Sequence, residues 1–503
     1  MDANHQQPPN TFDDIETNIG LFLKSSMSEF EGGSFRDRSA RVLVHNDRVF
    51  RLLTHEAQQA WEQTSRTPFF QRLMSAGRIV STRELSCGEI ASMRLPAESS
   101  AVLEHARVPF VSYPYEWSFG MLQRAALLHL DILTEALGSG LILKDASPYN
   151  VMFCGANPVF IDVSSFVPHA PGEPWAAYRQ FCELMLFPLL LQAHRHIDLQ
   201  PVLRGELEGI SARQFLKWLS WRDLFRPGVF THGWLQAALD RPSRSAATST
   251  VSDLQASGFG TELILRNLSG LKRLIEQLAW KPAETQWTDY RTALPHVVED
   301  TAAKTEFVRG VAGSRRWSLV WDLGCNDGAF SRIAAETAET VVAMDSDHGC
   351  VERLYRSLSK ADNRAAASST ILPLCVNVAN LSPAMGWRGR ERKRLEERGR
   401  PELVLCLGLI HHLVVSHNIP LPEVVDWLAS LGGELVIEFP SKQDAMVQRL
   451  LRNKRDQYQD YSLEQLEAAL MPCFEIRQRT SLPSGQRTLL HAVPRFTARG
   501  KER

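Results

Sequence analysis

The second half of the chain alternates short apolar runs with amphipathic segments. Strand-length runs lie within LVWDLG, TVVAMDSD, TILPLCVNVAN, ELVLCLGLIHHL and GELVIEFP, and apolar residues at helical spacing separate several of them. Buried strands separated by helices predict a parallel, doubly wound α/β sheet. The chain then ends on FEIRQRTSL and RTLLHAV around the turn PSGQ, which predicts an antiparallel hairpin at the sheet edge.

The first half shows a mixed pattern. RVLVHNDRVFRLLT alternates around Asn46 and Asp47, which predicts two paired strands, whereas later segments predict long apolar helices that are too interrupted to span a membrane. A Ser-, Thr-, Ala- and Gly-rich stretch after residue 239 has no apolar period and is typical of a linker. We therefore divide the chain into a first domain (1–239), a linker (240–264), a helical connection (265–311) and an α/β domain (312–503).

Composition narrows the class of protein without naming a partner. At 503 residues the chain exceeds the size of one hydrophobic core, and 44% hydrophobic and 22% charged residues are typical of globular proteins. The net charge of −1 gives no basic field for a nucleic acid or an anionic membrane. Eight scattered cysteines without a C-x-x-C pair, and no export segment, favour a reducing cytoplasm.

The first strand of the α/β domain runs into a glycine turn, VWDLGCNDGAFS. A dinucleotide site needs G-x-G-x-x-G, but here Asn326 and Asp327 lie between Gly324 and Gly328, and an acid would repel a pyrophosphate. Asp345 closes the second strand, where a carboxylate can accept both hydroxyl protons of a ribose. These features favour a nucleoside that carries positive charge.

On these residues the domain resembles class I S-adenosylmethionine-dependent methyltransferases, whose first motif is D-x-G-x-G-x-G and whose sheet ends in an antiparallel hairpin. Asn326 replaces the middle glycine, and Asn tolerates positive φ best among the other residues. An alternative is a doubly wound domain that has lost its ligand. The resemblance implies that S-adenosylmethionine is held by Asp322, Gly324, Cys325, Asn326, Gly328, Asp345, Ser346, Asn377, Val378, Leu407 and Lys304.

Candidate catalytic residues follow the fourth and fifth strands. His411 and His412 come after the fourth, one expected to face the site and one a packed helix, and a structural role is as reasonable as that of a base. Glu438 ends the fifth strand, where a carboxylate must find a partner, so we expect it to face the acceptor. The charge run from Trp387 to Arg400 predicts a solvated helix face.

The first domain contains a second motif, LKDASPYN followed by FIDVSSF. The spacing of Asp145, Asn150 and Asp162 resembles the catalytic loop and metal-binding segment of kinases and aminoglycoside phosphotransferases. Lys144 and Ser164 depart from that pattern, no glycine-rich loop is present, and Arg51 is the nearest strand cation. We therefore expect an α+β kinase-like domain that binds substrate or partner. Asn150 and Asp162 would hold a metal only if this half were an active phosphotransferase.

As a whole, the chain resembles a bacterial two-part family that includes a nodulation-associated methyltransferase of rhizobia. This resemblance implies methyl transfer to an unidentified acceptor, a small molecule or glycan-type metabolite, with the first domain positioning acceptor or partner. The alternative is a phosphotransferase whose methyltransferase-like half senses a cofactor. No nucleic acid or membrane partner is expected, and the sequence does not predict an oligomeric state.

Overall fold

A computed structural model of the chain describes residues 28–93, 95, 99–170, 172–239, 260–282, 297–360, 370–452, 454–455 and 457–495. We call residues 28–239 the N-terminal region and residues 297–495 the C-terminal region. Most of the predicted linker lies outside the described residues. A helix begins at Thr261, still inside the predicted linker range.

The N-terminal region opens with an antiparallel sheet of five strands, in the order β1-β2-β3-β5-β4. Asn46 and Asp47 join β2 to β3 with φ of +48° and +61°, values that Asn and Asp tolerate best among non-glycine residues, so the predicted hairpin is confirmed. The strands β1 to β5 are Ser28–Phe30, Ala40–His45, Arg48–Leu53, Thr82–Glu84 and Ala101–His105.

A mainly helical layer follows this sheet and carries two short antiparallel strand pairs, β6 with β9 and β7 with β8. The strands are Leu141–Leu143, Val151–Cys154, Asn157–Phe160 and Phe166–Pro168 for β6 to β9. The helices α1 to α9 are His55–Ser65, Pro68–Ser75, Cys87–Ser92, Phe119–Leu137, Tyr178–Phe181, Phe187–Arg195, Leu199–Gly205, Ala212–Lys217 and Leu235–Leu239. The kinase-like assignment of this region stays a prediction.

The C-terminal region is built on one seven-stranded sheet, in the order β12-β11-β10-β13-β14-β16-β15. Strands β10 to β14 are parallel, and β16 runs antiparallel between β14 and β15, so the predicted doubly wound sheet and its terminal hairpin are confirmed. The strands β10 to β16 are Trp317–Leu323, Ala338–Asp345, Ile371–Cys375, Leu403–Cys406, Glu434–Pro440, Phe474–Ser481 and Arg487–Pro494.

Helices lie in the connection to this sheet and in three of the four crossovers between its parallel strands, whereas the chain between β12 and β13 forms only 3₁₀ turns. Buried apolar side chains on α10 pack into the common core, as its helical spacing predicted. The helices α10 to α16 are Thr261–Gln277, Val297–Ala312, Ala329–Ala334, His348–Lys360, Leu421–Ser430, Ala445–Leu451 and Leu463–Leu470.

The charged segment 387–400 corrects one prediction. It forms no long helix, but two single 3₁₀ turns, Trp387–Gly389 and Leu395–Glu397, in otherwise irregular chain. Its charges meet the N-terminal region: Arg36 donates to Glu391 at 2.8 and 2.9 Å, and the Lys393 ammonium lies 2.8 Å from a Glu31 carboxylate oxygen. The solvated helix was wrong because the segment's partners lie more than 350 residues away along the chain.

One hydrophobic core crosses both regions. Phe110 of the N-terminal region meets Trp321 of β10 edge to face, with ring centroids 6.2 Å apart, and both side chains are fully buried. Arg398 and Glu116 form a buried ion pair beside them, with nitrogen–oxygen distances of 2.6 and 2.8 Å. The two regions are therefore packed together as one interior.

Candidate functional site

A cavity of about 530 Å³ opens at the carboxyl ends of the parallel strands of the C-terminal region. This is the edge where doubly wound sheets bind ligands. It brings together most of the predicted cofactor residues, but Asp322 and Gly328 are not among its lining side chains. The predicted residues that do line it are Lys304, Gly324, Cys325, Asn326, Asp345, Ser346, Asn377, Val378 and Leu407.

The loop after β10 has the backbone that its glycines and Asn326 predict. Gly324 and Gly328 each have φ of +76°, and Asn326 has φ of +49°, so the substitution of the middle glycine is accommodated. A Cβ at Gly328 would lie 2.6 Å from the Leu354 side chain, which means that this glycine allows close helix packing. Gly328 therefore supports the glycine loop through helix packing and not through contact with the cavity.

Asp322 lies beneath the loop instead of in the cavity. Its side chain is buried and accepts a 2.5 Å hydrogen bond from the Ser331 hydroxyl at the start of the following helix. Burial raises the pKa of Asp322 to about 6. Through its hydrogen bond with Ser331, Asp322 thus fixes the turn between β10 and α12.

Asp345 is held at the end of β11 by two backbone donors. The Asn326 and Asp347 amides each donate to its carboxylate at 2.8 Å, one to each oxygen. Burial raises the pKa of Asp345, against the opposing effect of these donors. Each carboxylate oxygen has a second lone pair, so an oriented Asp345 can still accept hydroxyl protons from a ligand.

The cavity is also lined by a charged cluster around Glu438. Glu438 is fully buried, and its two carboxylate oxygens meet Lys304 at 2.5 Å and Arg487 at 3.1 Å. Arg487 also donates to Asp444 at 2.7 Å. Burial alone would raise the pKa of Glu438, but Lys304 and Arg487 outweigh it and hold that pKa below its usual value. Glu438 is therefore an ionised carboxylate with two cationic partners.

Arg487 and Asp444 were missed by the sequence analysis. Antiparallel pairing puts Arg487, the first residue of β16, opposite Pro440 at the end of β14. A strand that returns from the ligand edge must begin at that edge, so the predicted hairpin could have indicated Arg487. Asp444 instead caps a short helix after β14, and only the fold brings its carboxylate to Arg487.

The neighbouring residues His411 and His412 lie in different surroundings, as the sequence predicts. His412 lines the cavity, whereas His411 is fully buried in the interior, so the structure does not bring His411 to the site as a catalytic residue. Burial lowers the pKa of His412 to about 4. His412 is consequently neutral at pH 7 and can accept a proton or a hydrogen bond.

The motif residues of the N-terminal region form a separate polar cluster. Arg51 on β3 donates to Asp162 at 2.9 Å and to the Ser164 hydroxyl at 2.8 Å. Lys144 donates to the Ser39 hydroxyl at 2.8 Å and lies 3.4 Å from an Asp37 carboxylate oxygen. The carboxylate predicted to hold a metal is thus paired with a guanidinium. Within the described part of the chain, no group of three or more His, Cys, Asp or Glu side chains could hold a metal ion.

The sheet order, the glycine loop and the acid that closes the second strand define the C-terminal region as a class I S-adenosylmethionine-dependent methyltransferase domain. The chain belongs to the family of nodulation protein NoeA of Rhizobium meliloti (strain 1021). It is 34% identical to NoeA over 460 residues, which cover 91% of this chain and 94% of that protein. No protein-family model matches the chain.

Similar solved structures cover about two fifths of this chain. The N-methyltransferase NodS from Bradyrhizobium japonicum WM9 is 12% identical, with 39% of this chain and 97% of that chain covered at a TM-score of 0.29. The magnesium protoporphyrin IX methyltransferase ChlM from Synechocystis PCC 6803 is 16% identical, with 42% and 92% covered at a TM-score of 0.27. Among the described helices, none is long and apolar enough to cross a membrane.

Proposed function

We propose that this chain transfers the methyl group of S-adenosylmethionine to a hydroxyl or amine of a small-molecule or glycan-type acceptor. The observation that carries the proposal is a single cavity lined by both groups of side chains. We assign the glycine loop and the oriented Asp345 to a first end, for the cofactor, and His412 and the Glu438 cluster to a second end, for the acceptor. A cofactor site and an acceptor site that share one cavity are what direct methyl transfer requires.

The first end fits S-adenosylmethionine residue by residue. Asp345 would accept protons from the ribose hydroxyls, Asn377 and Val378 would border the adenine, and the turn at Gly324 lets the backbone approach the methionine part. The acid-rich loop suits a ligand with an ammonium and a sulfonium better than a pyrophosphate. The cofactor supplies a methyl group on a positively charged sulfur, and this chain holds donor and acceptor in line.

At the second end, the structure favours a division of labour between Glu438 and His412. Glu438 is kept ionised by Lys304 and Arg487, so it is a weak proton acceptor and acts best as an anchor for those two cations. His412 is neutral at pH 7 and lines the same cavity. A pKa of about 4 makes His412 a weak base as well, so we assign it acceptance of a hydrogen bond from the hydroxyl or amine that is methylated. We assign acceptor orientation to the cluster of Lys304, Glu438 and Arg487.

The phosphotransferase alternative is disfavoured by the partners of Asp162. A carboxylate that binds magnesium offers its charge and its oxygens to the ion, but the charge of Asp162 is balanced by Arg51, and its Oδ1 already accepts from both Arg51 and Ser164. We propose that the N-terminal region is kinase-like and that it positions an acceptor or partner. We also propose a cytosolic enzyme that serves the process for which NoeA is named, with its eight cysteines as free thiols.

Thermal unfolding with candidate ligands tests the assignment. A ligand at 100 times its dissociation constant adds about 2.7 kcal/mol to the free energy of unfolding. We expect S-adenosylhomocysteine to raise the melting temperature of the wild-type chain and of Asp145→Asn by similar amounts, and that of Asp345→Ala by clearly less. Stabilisation by ATP with magnesium, without an effect of S-adenosylhomocysteine, would overturn the proposal in favour of the phosphotransferase. Transfer of labelled methyl groups to a cell extract would then identify the acceptor.

A further inference from the structure

One short helix of the N-terminal region lies against both loops that carry the predicted ribose and adenine contacts. This helix is α7, Leu199–Gly205, and Asp198 precedes it. An Asp198 carboxylate oxygen lies 3.3 Å from His348 Nδ1, at the start of the helix that follows Asp345. The residue that precedes α7 therefore contacts the start of the helix that follows Asp345.

The last turn of α7 holds the loop after β12. Arg204 donates from Nη2 to the Leu381 carbonyl at 2.9 Å and to Asn380 Oδ1 at 3.3 Å, and from Nη1 to the Asn380 carbonyl at 3.3 Å. The same loop begins with Asn377 and Val378, which line the cavity. Three acceptors on one guanidinium fix this loop in a single arrangement.

The N-terminal region also contacts the C-terminal end of the loop 377–381. The Ser382 hydroxyl donates to Glu116 at 2.5 Å, and Glu116 is buried in its ion pair with Arg398. Both anchors come from the N-terminal region, whereas the residues that face the ligand come from the C-terminal region. Arg204 and Glu116 of the N-terminal region thus hold the loop 377–381 at two points, in addition to contacts within the C-terminal region such as that of the Ser382 carbonyl with the Leu395 amide.

We propose that Arg204 is a positioning residue for cofactor binding, and that the N-terminal region preorganises the adenine side of the S-adenosylmethionine site. This inference rests on the proposed function. A loop held before the ligand arrives loses less conformational entropy on binding, so the anchor raises affinity without touching the ligand. The N-terminal region is then a working part of the cofactor site, in addition to any contact with an acceptor.

Calorimetric titration of the full chain with S-adenosylhomocysteine tests this role. We expect Arg204→Ala to raise the dissociation constant about tenfold, within the usual range of coupling between sites. KM for S-adenosylmethionine should rise in proportion, while kcat at saturating cofactor stays near that of the wild type. Amide hydrogen exchange in residues 377–381 of the unliganded chain should accelerate. Arg226→Ala is the matched control, because Arg226 pairs with Asp223 inside the N-terminal region.

The outcomes separate this inference from the proposed function. If the wild-type chain binds S-adenosylhomocysteine and Arg204→Ala binds it equally well, Arg204 has no positioning role and the methyltransferase assignment stands. If the wild-type chain does not bind it, the proposed function itself fails. Should Arg204→Ala not fold, Asn380→Ala replaces it, because that variant removes one of the three acceptors. A smaller loss of affinity then supports the inference, and an unchanged affinity overturns it.

Discussion

Two acidic residues of this chain, Asp345 and Asp162, each follow an apolar strand at a position where a ligand is expected. Asp345 is held by backbone amides and borders an open cavity, whereas Asp162 is held by the Arg51 guanidinium. Amide donors orient a carboxylate without neutralising it, whereas the Arg51 guanidinium balances the charge of Asp162 and, together with the Ser164 hydroxyl, occupies its Oδ1. The difference shows that the partners of a motif carboxylate decide whether it can still bind the ligand that its sequence motif predicts.

The largest expected effect concerns the cluster that faces the acceptor end. Glu438→Gln keeps the shape of the side chain and removes the charge that holds Lys304 and Arg487, so turnover should fall about 100-fold through misplacement. The affinity for S-adenosylhomocysteine should persist. Glu434→Gln is the control, because Glu434 lies at the other end of the same strand and pairs with His491 and Arg315. Turnover preserved in Glu438→Gln would show that Glu438 is structural.

The next effect concerns the cofactor end. Asp345→Ala removes a charged hydrogen-bond acceptor, a loss of about 1.5–3 kcal/mol, and should weaken S-adenosylhomocysteine binding about 10- to 150-fold. The fold should remain, since β11 is paired on both sides and its buried residues are unchanged. Calorimetry checks the affinity and circular dichroism checks the fold. An unchanged dissociation constant would contradict the cofactor assignment.

A smaller effect concerns the acid stability of the N-terminal region. His129 on α4 is fully buried among aromatic rings, and burial lowers its pKa to about 3. Below about pH 6.5 this histidine is protonated in the unfolded chain but stays neutral in the folded chain, so the free energy of unfolding falls as the pH drops from about 6.5 toward 3. The loss for this group is about 1.4 kcal/mol per pH unit.

Urea unfolding at pH 7 and pH 5 measures this dependence. His129→Leu should lose less stability between the two values than the wild type does, and His55→Leu, an exposed position, is the control. An equal loss in His129→Leu and the wild type would show that His129 does not contribute. Any loss of stability between pH 7 and pH 5 would then come from another titratable group.

The smallest effect is expected in the N-terminal motif. Asp145→Asn should leave methyl transfer within a few-fold of the wild type, because Asp145 belongs to a cluster away from the cavity. A methyl-transfer assay with and without ATP and magnesium provides the measurement. A loss of activity that depends on ATP or magnesium would show that the N-terminal motif binds a nucleotide or a metal that the reaction needs.

The alternating pattern after Val320 predicted the sheet, the hairpin and the cofactor loop because each depends on residues close together in sequence. Asn326 at positive φ was foreseeable for the same reason. The segment 387–400 was not, since Glu391 and Arg398 find their partners Arg36 and Glu116 far along the chain. The ionised state of Glu438 also depends on distant Lys304 and Arg487, which no local pattern shows.

The contact between Phe110 and Trp321 has a consequence for synthesis on the ribosome. The two residues are 211 positions apart (321 − 110), and translation at about 5–20 residues per second leaves roughly 10–40 s between their appearances. During that interval the apolar face around Phe110 has no β10 to cover it. We therefore expect the nascent N-terminal region to expose this apolar face to solvent until the first strand of the C-terminal sheet emerges.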